Sequence, residues 1–170
     1  MKRILIIGCP GSGKSYFAKR LGEILNLKVI HMDNLYWRND KTAITREELL
    51  MKLQPYLEEE NWIIDGNYHH TLENRLKYAT DVFFLDLSKE ECEQGILERV
   101  GKKRDDIPWI ETKEDALELI AWNETYEERT KQEEINLLKQ YPHLKIKTFK
   151  SRKEIANYLF KINKKSHQGI

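Results

Sequence analysis

The sequence predicts an α/β protein: a five-stranded parallel sheet with helices on both faces. Three observations carry this. A glycine-rich stretch, "GCPGSGKS" (8–15), directly follows the apolar run "RILII" (3–7). Five apolar, strand-like runs alternate with amphipathic segments along the whole chain. Such alternation builds a parallel sheet whose strands are buried on both faces. Four of the helical segments open on a Ser or Thr followed three residues later by an acid: Thr45/Glu48, Ser88/Glu91, Thr112/Asp115 and Ser151/Glu154. That spacing lets side chain and backbone cap each other at a helix start.

The elements follow in order. "RILII" (3–7) is a continuous apolar run, as a buried parallel strand requires. Residues 15–26 place Phe17, Leu21, Ile24 and Leu25 at helical spacing. "KVIHM" (28–32) is the second strand and 45–58 the second long helix. "WIID" (62–65) is the third strand, followed by a short helix near 71–78. "DVFFLDL" (81–87) is the fourth, followed by a helix over 88–100 and a long one near 113–140. "LKIKTF" (144–149) is the fifth, and a last helix covers 152–163. The tail "KKSHQGI" (164–170) is polar and expected to fray.

The chain has 170 residues, enough for one domain over 1–170 with a proper core. Its 29 Lys and Arg nearly balance 28 Asp and Glu, so no global basic field draws it to nucleic acid or membrane. Two cysteines, Cys9 in the glycine-rich stretch and Cys92 in a helix, give no disulfide framework. Cys9 is expected to fill a small apolar slot. No apolar run is long enough to cross a membrane, and "MKRILII" runs straight into the loop without a signal peptide. A reducing cytoplasm is the expected location.

Residues 8–15 fit G-x-x-x-x-G-K-[ST], the phosphate-loop motif. Glycines let successive N–H groups point into one cavity, and the following helix adds the positive end of its dipole. Gly8, Pro10, Gly11, Ser12, Gly13, Lys14, Ser15 and Tyr16 are therefore the expected ATP-binding residues. Lys14 would reach the β- and γ-phosphates and the Ser15 hydroxyl would ligate Mg²⁺. In parallel sheets ligands bind beyond the carboxyl ends of the strands. There the sequence collects Asp33 and Arg38, then Asp65, Asn67 and Arg75, then Asp86, Arg99 and Arg104.

"IIGCPGSGKSYFAKRLGEIL", "VIHMDNLYW", "WIIDGNY", "VFFLDLSKEECEQGILER" and "FKSRKEIANYL" together resemble the small P-loop kinases related to adenylate kinase. Within them they resemble the bacterial DNA topology modulation proteins. The resemblance implies a P-loop NTPase three-layer sandwich with strand order 2-3-1-4-5 and a lid, here about 101–112. It implies that Asp65 holds Mg²⁺ through water, with Asp86 as rival. It makes Asp33 the base that takes a proton from an acceptor hydroxyl; the alternative is a helix cap or turn residue. Arg99, Arg104 and Arg129 become lid-side groups over the transferring phosphate, or else solvated charges. Arg38 and Arg75 would face an anionic acceptor, with Asn67 beside them. Arg152, in "SRKE", would stack on adenine, cap the last helix, or both. Tyr36, Trp37, Tyr68 and Trp109 would stack a planar substrate or cover the sheet end.

The sequence also departs from adenylate kinase. It has "DGNYHH" (65–70) for Asp-Gly-Phe-Pro-Arg, no Thr-Gly before Asp33, and a short lid without a Cys cluster. A structural zinc is not expected, and His69 and His70 are read as exposed. The function expected is transfer of the γ-phosphoryl group of ATP·Mg²⁺ to a small-molecule acceptor. The alternative is a nucleotide-dependent regulatory ATPase linked to DNA topology.

Overall fold

A computed structural model describes residues 1–167. The five strands are β1 (Lys2–Gly8), β2 (Val29–His31), β3 (Asn61–Asp65), β4 (Asp81–Leu85) and β5 (Lys145–Phe149). All neighbouring pairs are parallel and the order is β2-β3-β1-β4-β5. The registers Ile6 with Asp65 and Gly8 with Leu85 bring the ends of β1, β3 and β4 to one rim.

Each sheet face buries its own core. Alternation along β1 decides the sides: Leu5 and Ile7 join one cluster, Ile4 and Ile6 the other. The first cluster holds Trp62, Ile64 and Phe84 against Leu49, Leu53 and Leu57 of α3 (Arg46–Glu58) and Leu72 and Leu76 of α4 (His69–Leu76). In the second, Phe17 of α1 (Lys14–Leu25) meets Phe83 edge-on at 5.3 Å and Phe149 at 5.5 Å. Ile155 and Leu159 of α8 (Arg152–His167) close that side. The remaining helices are α2 (Met32–Tyr36), α5 (Lys89–Leu97), α6 (Lys113–Thr125) and α7 (Lys131–Leu138).

All four expected caps form. Thr45 with Glu48 and Thr112 with Asp115 make reciprocal capping boxes. Ser88 accepts from the Glu91 amide at 3.2 Å and Ser151 from that of Glu154 at 3.3 Å.

Four expectations are corrected. The second strand stops at His31, because Met32 turns inward and opens the short helix α2. The long helix near 113–140 is interrupted by a π-helical turn, Tyr126–Thr130. Wider turns of this kind re-aim side chains, and here Tyr126 is buried with its hydroxyl donating to Glu134 at 2.9 Å. The last helix runs on to His167, so 164–167 of the expected frayed tail are helical, while 168–170 lie outside the described residues. Finally, Cys9 and Cys92 are joined as a disulfide, with Cα atoms 6.8 Å apart. Helix α5 approaches the phosphate loop closely enough for this, a proximity that cysteine counting cannot reveal.

Candidate active site

The phosphate loop leaves β1 at Gly8 and enters α1 at Lys14. Gly11 (φ 82°) and Gly13 (φ 90°) occupy the left-handed region that favours glycine. Ser12 is buried, its hydroxyl donating to the Cys9 carbonyl at 2.8 Å. The Lys14 ammonium donates to the same carbonyl at 2.8 Å. Burial lowers the Lys14 pKa to about 8, against the upward pull of Asp65 and Asp33. A desolvated cation so near its protonation limit gains from an incoming phosphate. The Pro10 carbonyl accepts from Asn123 of α6 at 3.2 Å, and Tyr16 is exposed.

Three side chains from the segment after β3 build the facing wall. Asn67 accepts the Gly8 amide at 2.7 Å and ties the loop to β3. Asp65, at the end of β3, bonds His31 Nδ1 at 2.7 Å. Burial alone would lower His31, but the Asp65 bond and charge outweigh it and raise its pKa. Tyr68 sits at φ 37°, a region costly for a side chain of its size. Its hydroxyl donates to Asp33, which lies in the first turn of α2. Burial raises the Asp33 pKa, and the bond from Tyr68 opposes it. Beside them, Tyr36 stands 4.9 Å from Trp37 and 4.8 Å from Tyr68, and Trp37 stands 5.9 Å from Trp109, between ring centres.

The arginines are placed differently from expectation. Arg75 does not face an acceptor. It is fully buried and donates to the carbonyls of Gly66 (2.7 Å), Asn67 and Tyr68 (3.1 Å), so it is the clamp that holds the strained Tyr68. Arg38 braces the loop after α2, donating to the Ala43 carbonyl at 2.9 Å and lying 3.6 Å from Glu48. Arg99 and Arg104 both pair with Glu111, at 2.8 and 2.7 Å, and Arg104 also grips Asp106. Arg152 is docked on α5 through the Glu91 carbonyl (3.0 Å) and Glu98 (3.1 Å), not turned out for a base. Arg129 is exposed on the π-helical turn.

Of the two rival carboxylates, Asp86 is held by Lys131 at 2.6 Å and by Lys150. Burial would raise its pKa, but the two lysines hold it below the usual range. An open groove of about 480 Å³ runs beside it, lined by Ser88, Lys89, Glu127, Lys131 and Lys150. The charge of Asp65 acts on Lys14.

The segment expected as a lid is closed at its base by a bond from Gly101 N–H to the Glu111 carbonyl at 2.9 Å. It has more to bury than its charge suggests: Asp106, Ile107 and Glu111 are all buried. Sequence reasoning passed over Asp106, Glu111, His31, Gly95 and Glu134. The signal for the first two was available, because two arginines in a short lid need acids if they are to be partly buried.

Comparison with known proteins agrees with this architecture. A family profile described as an AAA domain matches residues 4–119. The shikimate kinase from Bacteroides thetaiotaomicron superposes with a TM-score of 0.58 at 18% identity, covering 96% of this chain and 97% of its own. The shikimate kinase from Aquifex aeolicus vf5 gives 0.53 at 20% identity, with 99% of each chain covered. At these identities the likeness establishes the fold. Among curated proteins none matches. No described helix is long and apolar enough to cross a membrane. The chain belongs to the AAA-domain family defined by that profile.

Proposed function

We propose that this protein is an ATP-dependent small-molecule kinase, a single P-loop kinase-like domain over 1–170 with its lid at about 101–112. The observation that carries the reading is an Asp33 carboxylate oriented by the Tyr68 hydroxyl at the end of the sheet that carries the phosphate loop. The Lys14 ammonium feels the charge of that carboxylate. A phosphate-binding cation and a partly buried, oriented carboxylate at the same end of the sheet are what transfer to a hydroxyl requires. The two shikimate kinases, as their name says, are enzymes of this general kind.

In this reading the loop amides and Lys14 hold the β- and γ-phosphates. Asp33 orients the acceptor hydroxyl and takes its proton as the oxygen bonds to γ-phosphorus and ADP leaves. Its raised pKa suits a base that must hold a proton briefly. Arg99 and Arg104 would have to leave Glu111 to reach the phosphates, and Arg129 is available at the surface. The hard oxygen donors of Ser15 and Asp65 fit Mg²⁺. Bound there, Mg²⁺ neutralises charge on the phosphate oxygens. With Arg38 and Arg75 engaged elsewhere, the acceptor side holds aromatic rings and carboxylates, which favours a nucleoside-like or other uncharged hydroxyl compound over a nucleotide.

The finer kinship with DNA topology modulation proteins rests on the sequence resemblance. The near-neutral charge, 29 basic against 28 acidic residues, supports no broad phosphate footprint on DNA. Thermal unfolding with ATP·Mg²⁺ tests the nucleotide half. Wild type should shift upward and Lys14→Ala should not; equal shifts would remove the phosphate-loop assignment.

A further inference from the structure

The Ser15 hydroxyl donates to Asp106 Oδ2 at 2.7 Å, across 91 residues of sequence. Asp106 is only 4% exposed. Arg104 holds both Asp106 oxygens, Nε on Oδ1 at 2.9 Å and Nη2 on Oδ2, and is itself fixed by Glu111 at 2.7 Å. The lid around it is anchored by Lys19 on Asp105 at 2.7 Å and by Asn34 on the Asp105 carbonyl at 3.1 Å. Neither strand-end acid is bonded to Ser15: Asp65 holds His31 through Oδ1 at 2.7 Å, and Asp86 is held by Lys131 at 2.6 Å.

A serine that binds a cation through its lone pairs must give its proton to an acceptor, and Asp106 is the acceptor in place. The spacing fits the metal as well. Neighbouring oxygens on an octahedral Mg²⁺ stand about 2.9 Å apart, given metal–oxygen distances of about 2.0–2.1 Å. The Ser15–Asp106 separation is close to that, so the pair can face one cation once Arg104 Nη2 gives up Oδ2 and Nε keeps its bond to Oδ1.

We propose that the acidic partner of the phosphate-loop hydroxyl is delivered by the lid: Asp106 is the positioning residue for Ser15 and Mg²⁺, so that lid closure and magnesium binding are one event. This rests on the ATP·Mg²⁺ reading of the phosphate loop. It makes the magnesium site incomplete whenever the lid is open. Metal bound with nucleotide then adds to the Lys19 and Asn34 contacts and tightens the lid.

The test is ATP titration by calorimetry with Mg²⁺ and with EDTA, on wild type, Asp106→Asn and Glu114→Gln. Wild type should bind ATP more tightly with Mg²⁺. Asp106→Asn should lose about tenfold or more of that gain, the usual cost of removing a group that orients a metal ligand, while its affinity in EDTA stays the same. Glu114→Gln, an exposed acid in the first turn of α6 that makes no bond to the lid, should keep the gain. Asp106→Asn that keeps the full gain, or binds ATP·Mg²⁺ more tightly, would overturn the inference and leave the phosphate-loop reading standing. A wild type that binds no ATP in either medium would overturn both. Should Asp106→Asn fail to fold, amide exchange over 102–110 in wild type decides: it should slow when Mg²⁺ is added to the ATP-bound protein, and equal exchange would refute the coupling.

Discussion

Gly95 of α5 lies against Gly11 of the phosphate loop so closely that a Cβ on Gly95 would stand 2.1 Å from the Gly11 carbonyl oxygen. The reverse holds too: a Cβ on Gly11 would meet the Cys92 carbonyl at 1.9 Å. The two backbones are in direct contact, and the Cys9–Cys92 bridge spans the same seam. The loop is therefore shaped from outside as well as by its own glycines.

Gly95→Ala should push the loop off α5. We expect a loss of roughly 1–3 kcal/mol in stability, the usual cost of forcing a methyl group into a packed contact. The thermal shift with ATP·Mg²⁺ should shrink as well. Gln94→Ala, one residue away and exposed, should leave both as in wild type. An alanine at 95 that unfolds and binds ATP like wild type would mean that the contact does not shape the loop.

Lys14 makes ATP binding pH-dependent. In the free protein its pKa is about 8, and bound phosphates would raise it. Binding above pH 8 must therefore take up a proton, and affinity should fall as pH rises. The expected slope is at most about tenfold per pH unit. Titrations from pH 7 to 9.5 in EDTA check this; a flat affinity across that range would mean that Lys14 does not titrate there.

Glu134 carries a stability signature. It is fully buried, and burial lifts its pKa from 4.5 to about 7, against the Tyr126 bond and the Arg75 charge. Between those values the folded protein keeps a proton that the unfolded chain gives up. Its contribution to stability is thus complete below pH 4.5 and is lost as pH rises through about 7. Glu134→Gln keeps a neutral group at all pH. The melting temperature of this variant relative to wild type should therefore rise between pH 5 and pH 8. A constant difference would show that Glu134 is ionised throughout.

Much of the fold was legible because its signals are local. The five apolar runs and the four Ser/Thr–acid pairs needed no tertiary information, and all became strands and capped helices. The break at Tyr126–Thr130 was not legible, since the apolar spacing continues through it and only the buried Tyr126–Glu134 bond explains it. At the site, the phosphate loop could be read from spacing, and Asp33 and Asp65 from their places after strands. The roles of arginines could not. Arg75 reads as a group for an anionic acceptor until the carbonyls of Gly66, Asn67 and Tyr68 are seen to take its donors. Arg99 and Arg104 look free until Glu111 folds between them. Long-range partners such as Ser15 with Asp106 leave no periodicity to detect.

Transfer to an acceptor is tested most directly by turnover. Hydroxyl-bearing metabolites, nucleosides first, are screened for stimulated ADP release, and a responsive one is carried to Asp33→Asn. That change keeps the shape and the bond from Tyr68 but removes the base. Turnover should fall by roughly two to four decades, the range for a lost general base, while ATP affinity changes little. Turnover in Asp33→Asn equal to that of wild type would contradict the kinase mechanism proposed here.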